Sequence, residues 1–90
     1  MTKAEIVRKI SKETGIEYGT VIAVVESTMT GIKNALERNE EVTLRGFGTF
    51  LNRTRKAKKA RNISKNVTID VPEHKVPAFK PSEEFKNMVR

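Results

Sequence analysis

The sequence predicts an α+β fold, with two N-terminal helices, an antiparallel sheet that extends into a basic β-hairpin arm, and a short C-terminal helix. Three observations predict it. Apolar residues recur every three or four positions as far as Leu36, and beyond residue 41 they alternate with polar residues. A serine-capped segment with two glutamates in its first turn ends the chain. Because the chain has only 90 residues, these elements form a single domain, residues 1–90.

The first helix is predicted over residues 3–13. Thr2 and Glu5 form a T-x-x-E capping box, which satisfies backbone N–H groups that are free at a helix start. Gly15 stands where a residue in the left-handed conformation is needed to end a helix. The segment therefore has both a start signal and a stop signal.

A longer second helix follows Glu17, which is a weak N-cap, and Asn39 can end it. Its apolar stripe has helical spacing and consists of Tyr18, Val21, Ile22, Val25, Met29, Ile32, Ala35 and Leu36. We interpret this stripe as core or as a surface for a partner, and not as a cofactor site.

Strand-like alternation begins at Val42 and Leu44 and leads into the block RGFGTF, residues 45–50. Gly46 and Gly48 are too close together for a helix and predict a tight turn or bulge between two strands. The block is not a phosphate-binding loop, because a P-loop needs four residues between its glycines and a lysine after them. The dinucleotide fingerprint needs a third glycine.

A basic β-hairpin arm is predicted at about residues 51–74. Its first half alternates poorly, residues 61–66 are typical of a turn, and a strand with clean two-residue alternation then runs to Pro72. The remaining residues, 1–50 and 75–90, are predicted to form the body of the domain.

The chain is predicted to return to the body in an extended segment that contains Pro77, Phe79 and Pro81. Ser82 then caps a short C-terminal helix, because its hydroxyl can accept a hydrogen bond from the first turn. The inner face of this helix is predicted to carry Phe85, Met88 and Val89.

The charge is strongly positive and unevenly distributed. The net charge is +7 and the isoelectric point is about 10.0. Seven basic residues and no acidic residue lie in the predicted arm between positions 53 and 65, namely Arg53, Arg55, Lys56, Lys58, Lys59, Arg61 and Lys65. Like charges packed this closely repel one another, and a polyanion relieves the repulsion. Nucleic acid is therefore favoured over a membrane surface or another acidic partner.

The apolar residues predict a dimer, because a chain this small that extends a hairpin from its body cannot enclose them all. The predicted dimer core comprises Val21, Val25, Met29, Ile32, Leu36, Leu44, Phe47, Phe50 and Phe79. The alternative is a monomer with an exposed stripe on the second helix, which is disfavoured because large bare apolar patches are rare on soluble monomers. The partner can be an identical chain or a paralogue.

Other classes of protein fit the sequence poorly. The chain has no cysteine, a single histidine and no apolar run long enough to span a bilayer, so we expect a cytoplasmic protein with no membrane association. No catalytic pair, metal site or cofactor is predicted, and His74 is interpreted as a turn residue rather than a catalyst. The one tyrosine and four phenylalanines occupy positions predicted to be buried, which leaves RNA as an accessory ligand at most.

Four segments of the chain resemble the bacterial HU and integration host factor proteins, in the order and spacing of that family. The segments are the opening TKAEIVRKI, the pair Thr14–Gly15, EVTLRGFGTF at 41–50 and KVPAFKPS at 75–82. The resemblance implies an intertwined dimer whose two arms embrace the minor groove of double-stranded DNA. It also implies an architectural role in the bacterial nucleoid.

The residues predicted to bind DNA are Lys3, Arg53, Arg55, Lys56, Lys58, Lys59, Arg61, Asn62, Ile63, Lys65, Lys75, Lys80 and Lys86. Those that match the basic contact positions of the family best are Arg55, Lys58, Arg61 and Lys80. Lysine and arginine recognise phosphates, and the edges of bases in the minor groove barely distinguish one sequence from another. Low sequence specificity is therefore expected.

The hairpin tip departs from the family. Where the family has Arg-Asn-Pro-x-Thr-Gly, this chain has RNISKN at residues 61–66. Asn66 replaces glycine, which is a mild change because asparagine tolerates positive φ. Ile63 replaces the proline that is thought to wedge between base pairs. An apolar side chain such as isoleucine can also enter a base step from the minor groove and kink the duplex.

We predict that Ile63→Ser bends DNA less than the wild type and loses affinity mainly for intact duplexes. Intact DNA must be unstacked by the protein, at a cost of a few kcal/mol, whereas nicked DNA is already flexible. Bend angle and affinity on matched intact and nicked duplexes test this. If the variant bends intact DNA as much as the wild type does, Ile63 is not the wedge and bending comes from the basic arms alone.

Overall fold

A computed structural model shows two N-terminal helices, five strands and a C-terminal helix in the part of the chain that it describes. It describes the backbone of residues 1–62 and 67–90, and the side chains of all of these except residues 61 and 62. In chain order the elements are α1 (Lys3–Thr14), α2 (Tyr18–Glu37), β1 (Val42–Leu44), β2 (Gly48–Arg55), β3 (Lys58–Asn62), β4 (Val67–Val71), β5 (His74–Pro81) and α3 (Glu83–Val89). The residues fall into two compact units, Met1–Ala35 and Leu36–Arg90.

Both N-terminal helices end at the signals found in the sequence. The Thr2 hydroxyl accepts a hydrogen bond from the backbone N–H of Glu5 at 3.2 Å. Gly15 adopts a φ of 74° and donates its backbone N–H to the Ser11 carbonyl at 2.9 Å. Asn39, which follows α2, adopts a φ of 59°. Glycine and asparagine are the residues that take this conformation at least cost, so both helices end at residues suited to it.

Three strands form an antiparallel sheet in the order β1-β2-β5. In the turn between β1 and β2, the backbone N–H of Phe47 donates to the Leu44 carbonyl at 3.0 Å, and Gly46 has a φ of 82°. The Ser82 hydroxyl donates to the Gly46 carbonyl at 2.9 Å and accepts from the backbone N–H of Phe85 at 3.1 Å. Ser82 therefore caps α3 and connects it to the turn.

The predicted arm divides into two parts in the structure. β2 and β5 pair along eight residues each, from Gly48 opposite Pro81 to Arg55 opposite His74. Residues 51–55 therefore belong to the three-stranded sheet, while β3 and β4 form a separate two-stranded sheet. The sequence predicted one continuous hairpin arm, and its poorly alternating first half gave no sign of the break between β2 and β3.

Four phenylalanines form the apolar centre of the second unit. The ring centroid of Phe79 lies 4.8 Å from that of Phe50 and 4.9 Å from that of Phe47. The rings of Phe47 and Phe85 are stacked with centroids 5.4 Å apart. Pairs at these separations are stabilising beyond the area that they bury. The cluster therefore holds the β1–β2 turn, the sheet and α3 together.

The single chain buries few of its apolar side chains. Among the described residues, the buried hydrophobic ones are Val7, Val21 and Ala35. Leu44 and Phe47, which belong to the predicted dimer core, are 36% and 44% exposed. A chain that leaves such residues in water lacks a complete hydrophobic core of its own.

Two predictions about burial differ from the structure of the single chain. Met88 and Val89 are 80% and 75% exposed in the single chain, so neither is buried with Phe85. Val89 lines the same open groove as Phe79 and Phe85, and the single chain leaves that groove uncovered. The aromatic residues are not all buried either, since Tyr18 and Phe47 are both exposed.

Gly48→Ala is expected to destabilise the fold. A Cβ atom at this position would lie 2.5 Å from the Lys80 carbonyl oxygen and 2.6 Å from Cζ of Phe79. A backbone oxygen inside a paired strand cannot rotate away, so we expect a loss of about 1–3 kcal/mol in the free energy of unfolding, measured by urea denaturation. The control is Gly19→Ala, because its Cβ would meet only the Glu17 side chain, at 3.9 Å. Equal stability of the two variants would contradict the close packing of β2 against β5.

Candidate nucleic-acid interface

The pairing of β2 with β5 gives the three-stranded sheet two chemically different faces. Side chains alternate along a strand, and residues paired directly across strands share a face. One face, here called the aromatic face, carries Val42, Leu44, Phe50 and Phe79. The opposite face, here called the cationic face, carries Arg53, Arg55, His74 and Lys80. The sheet thus separates the apolar centre from a row of basic side chains.

The register places Lys75 on the other face of the sheet from Arg53, Arg55 and Lys80. Lys75 is paired with Thr54, and both lie on the side of the sheet that carries the phenylalanines. Arg53 and Arg55, the neighbours of Thr54 in β2, point the opposite way because side chains alternate. A ligand on the cationic face would therefore meet Arg53 and Arg55 directly, but not Lys75.

The basic side chains of the cationic face are exposed, and no ion pair between described residues involves Arg53, Arg55 or Lys80. Two other predicted contacts do have acidic partners. Nζ of Lys3 lies 3.0 Å from Oε1 of Glu26, and Nζ of Lys86 lies 3.4 Å from Oε1 of Glu83. Exposed pairs of this kind are weak, so they can be exchanged for contacts to phosphate.

The β3–β4 hairpin also has two unlike faces. Lys58 is paired with Val71 and Ala60 with Ile69, so one face combines a lysine with apolar residues. Lys59 lies on the other face, opposite Asp70. Asp70 brings a negative charge into the arm next to one of its lysines.

Four of the predicted DNA-binding residues are only partly described or not described at all. Arg61 and Asn62 end β3, and their side chains lie outside the described residues. Ile63 and Lys65 lie outside the described residues altogether. Their predicted roles at the hairpin tip therefore rest on the sequence.

The junction between the sheet and the hairpin forms a cleft lined by Arg55, Lys56, Lys58, His74 and Val76. Its polar lining is thus entirely basic.

The interpretation of His74 as a turn residue is wrong, because His74 is the first residue of β5 and pairs with Arg55. The alternation in the segment HKVPAFKP, which places positions 74 and 80 on the same face of a strand, was the signal that could have revealed this.

Comparison with known proteins agrees with this arrangement. The family model described as bacterial DNA-binding protein matches residues 1–90. The chain belongs to this family. It is 38% identical over its whole length to the SPbeta prophage-derived DNA-binding protein HU 2 of Bacillus subtilis, of which it covers 98%. It is 33% identical to the DNA-binding protein HU of Geobacillus stearothermophilus, with both chains covered completely.

The fold agrees with a solved structure of the same family. HU from Anabaena, in a cocrystal with DNA, superposes with a TM-score of 0.94 at 32% sequence identity, covering 99% of this chain and 97% of that one. The match confirms the predicted α+β fold and the resemblance to the HU proteins. Across residues 1–62 and 67–90, no helix combines the length and the apolar character needed to cross a membrane.

Proposed function

We propose that this protein is an architectural DNA-binding protein of the bacterial nucleoid, which binds double-stranded DNA in the minor groove as a dimer and bends it. The observation that carries the proposal is the row of exposed cations, Arg53, Arg55 and Lys80, on the sheet face opposite the phenylalanines. A sheet holds these charges in fixed positions on the face opposite the phenylalanine cluster. DNA binding without enzymatic activity also follows from the family.

The chemistry of the interface favours low sequence specificity. Contacts to phosphates fix the position of a protein on the duplex but carry no direct information about sequence. The described side chains of the cationic face offer no amide that could read an adenine edge, as asparagine and glutamine do in the major groove. Arginine is also attracted to a narrow minor groove, where the potential is most negative. The relative from Anabaena was crystallised with DNA, which supports the same class of ligand.

A dimer is the assembly that accounts for the exposed apolar residues. Met29 on α2, Leu44 at the end of β1 and Phe47 in the β1–β2 turn are all exposed. A second copy that packs against these residues would complete the core, and it would leave the cationic face of each chain free for DNA. The second copy can be identical to the first or a paralogue.

Binding is predicted to depend strongly on salt and on the cationic face. If a dimer neutralises about 8 phosphates, log K should fall against log salt with a slope of roughly −7, because counterions are released from the DNA. Arg55→Gln should weaken binding to all sequences alike and make this slope shallower. Fluorescence anisotropy with two unrelated duplexes at several salt concentrations measures both effects.

The matched control for Arg55→Gln is Lys75→Gln. Each substitution removes one positive charge, but Lys75 lies on the aromatic face of the sheet. The proposal therefore predicts a clearly smaller loss of affinity for Lys75→Gln. Equal losses for the two variants would show that net charge alone drives binding. A flat response to salt, or one sequence bound a thousandfold more tightly than the other, would contradict the proposal itself.

Ile32→Asp is predicted to unfold the protein instead of producing a folded monomer, because Ile32 belongs to the apolar stripe of α2 that the second copy would cover. Far-UV circular dichroism and sedimentation equilibrium measure folding and mass. The control is Thr30→Asp, since Thr30 is exposed on the same helix and lies outside the stripe. The dimer is ruled out if the wild type sediments as a folded species of one 10.2 kDa chain at micromolar concentration.

A further inference from the structure

His74 is the one histidine of the chain, and it lies on the cationic face directly opposite Arg55. It also lines the basic cleft at the junction of the sheet and the hairpin. We propose that His74 is a DNA-phosphate contact that becomes protonated when DNA binds, so that binding by this protein is coupled to proton uptake. The inference rests on the proposed function and identifies one contact within that interface.

The hydrogen bond of His74 determines which ring nitrogen takes up the proton. Nδ1 lies 2.9 Å from the carbonyl oxygen of Pro72. A carbonyl oxygen can only accept a hydrogen bond, so Nδ1 is the nitrogen that carries the hydrogen in the neutral ring. Nε2 then has a free lone pair, and a proton from solution binds there. Protonation turns Nε2 into a second donor, which a phosphate oxygen can accept.

The charged groups around His74 explain why a bound phosphate would favour its protonated form. Arg55 faces it from β2, Lys56 and Lys58 line the same cleft just before and at the start of β3, and Glu73 and Lys75 are its neighbours in the chain. The three cations of the cleft attract a phosphate to this position. A phosphate oxygen within reach of Nε2 favours the imidazolium form, because an opposite charge nearby stabilises the charged ring.

The direction of the pH effect follows from this difference. If DNA favours the protonated ring, the complex binds more protons than the free protein, and affinity must increase as the pH falls through the range in which histidine titrates. The uptake of a full proton per histidine would change the affinity by about tenfold per pH unit, and partial uptake would change it by less. Lysine, arginine and carboxylate side chains ordinarily titrate outside this range and contribute little.

The experiment compares the affinity of the full-length protein for a random-sequence 30-base-pair duplex at pH 6 and pH 8, at constant ionic strength. The wild type should bind severalfold more tightly at pH 6. His74→Gln should bind with equal affinity at both values, near that of the wild type at pH 8. His74→Lys, which keeps a permanent positive charge, should also be independent of pH but should bind more tightly than His74→Gln.

Two controls test whether the pH dependence of DNA binding comes from His74 or from another group. Lys75→Gln removes a neighbouring charge from the other face and should retain the pH dependence of the wild type. His74→Gln keeps the terminal α-amino group, which is the other group that titrates near neutral pH. NMR of the single histidine ring gives a direct readout, because its titration midpoint should move to higher pH when the duplex is added.

Each outcome decides a different claim. A wild-type protein that binds equally well at pH 6 and pH 8, or a pH dependence that persists in His74→Gln, overturns the role of His74 and leaves the proposed function intact. A wild-type protein that fails to bind duplex DNA at both values overturns the proposed function and the inference with it. A pH dependence that His74→Gln removes and Lys75→Gln retains supports the inference.

Discussion

The register between β2 and β5 is the constraint on which the rest of the structure depends. Because side chains alternate, a slip of β2 by one residue against β5 would exchange the two faces of β2. It would place Arg53 and Arg55 against the apolar centre and expose Phe50 to water. Burying unpaired guanidinium groups is very costly, so the charges and the aromatic rings favour the same register. Gly48 adds a steric reason, since a Cβ atom there would overlap the backbone of β5.

The same register keeps two kinds of association apart. The single chain leaves Met29, Leu44 and Phe47 exposed, and these apolar side chains favour a second protein chain. The cations of the sheet lie on the face opposite the phenylalanines, where they favour a polyanion. In the proposed dimer, the second chain does not cover the cationic face, and the DNA does not cover the exposed apolar residues. Folding and assembly then depend on one set of residues and DNA binding on another, which is why charge substitutions on the cationic face test binding without testing the fold.

Elements with local signals could be predicted from the sequence, and elements that depend on pairing could not. The capping residues of α1 and the asparagine after α2 define helix ends through their own chemistry, and the structure places the ends there. Residues 51–55 were predicted as part of the first strand of the hairpin arm, and only their pairing with β5 shows that they belong to the three-stranded sheet. His74 follows proline and glutamate in the sequence, which suggested a turn, whereas pairing with Arg55 places it in a strand. The exposure of Met88 and Val89 likewise depends on what packs over α3, and the local sequence pattern cannot predict that.

The division of the predicted arm implies different roles for its two parts in the proposed complex. Arg53 and Arg55 belong to a three-stranded sheet that packs on phenylalanines, so their positions are fixed before DNA binds. A two-stranded hairpin such as β3–β4 is only marginally stable by itself in water. Val67 and Ile69 on β4 are nearly half exposed, so the hairpin buries little apolar surface within the single chain. In the proposed complex the sheet would therefore supply preorganised phosphate contacts, and the hairpin would gain apolar burial and charge neutralisation from the DNA.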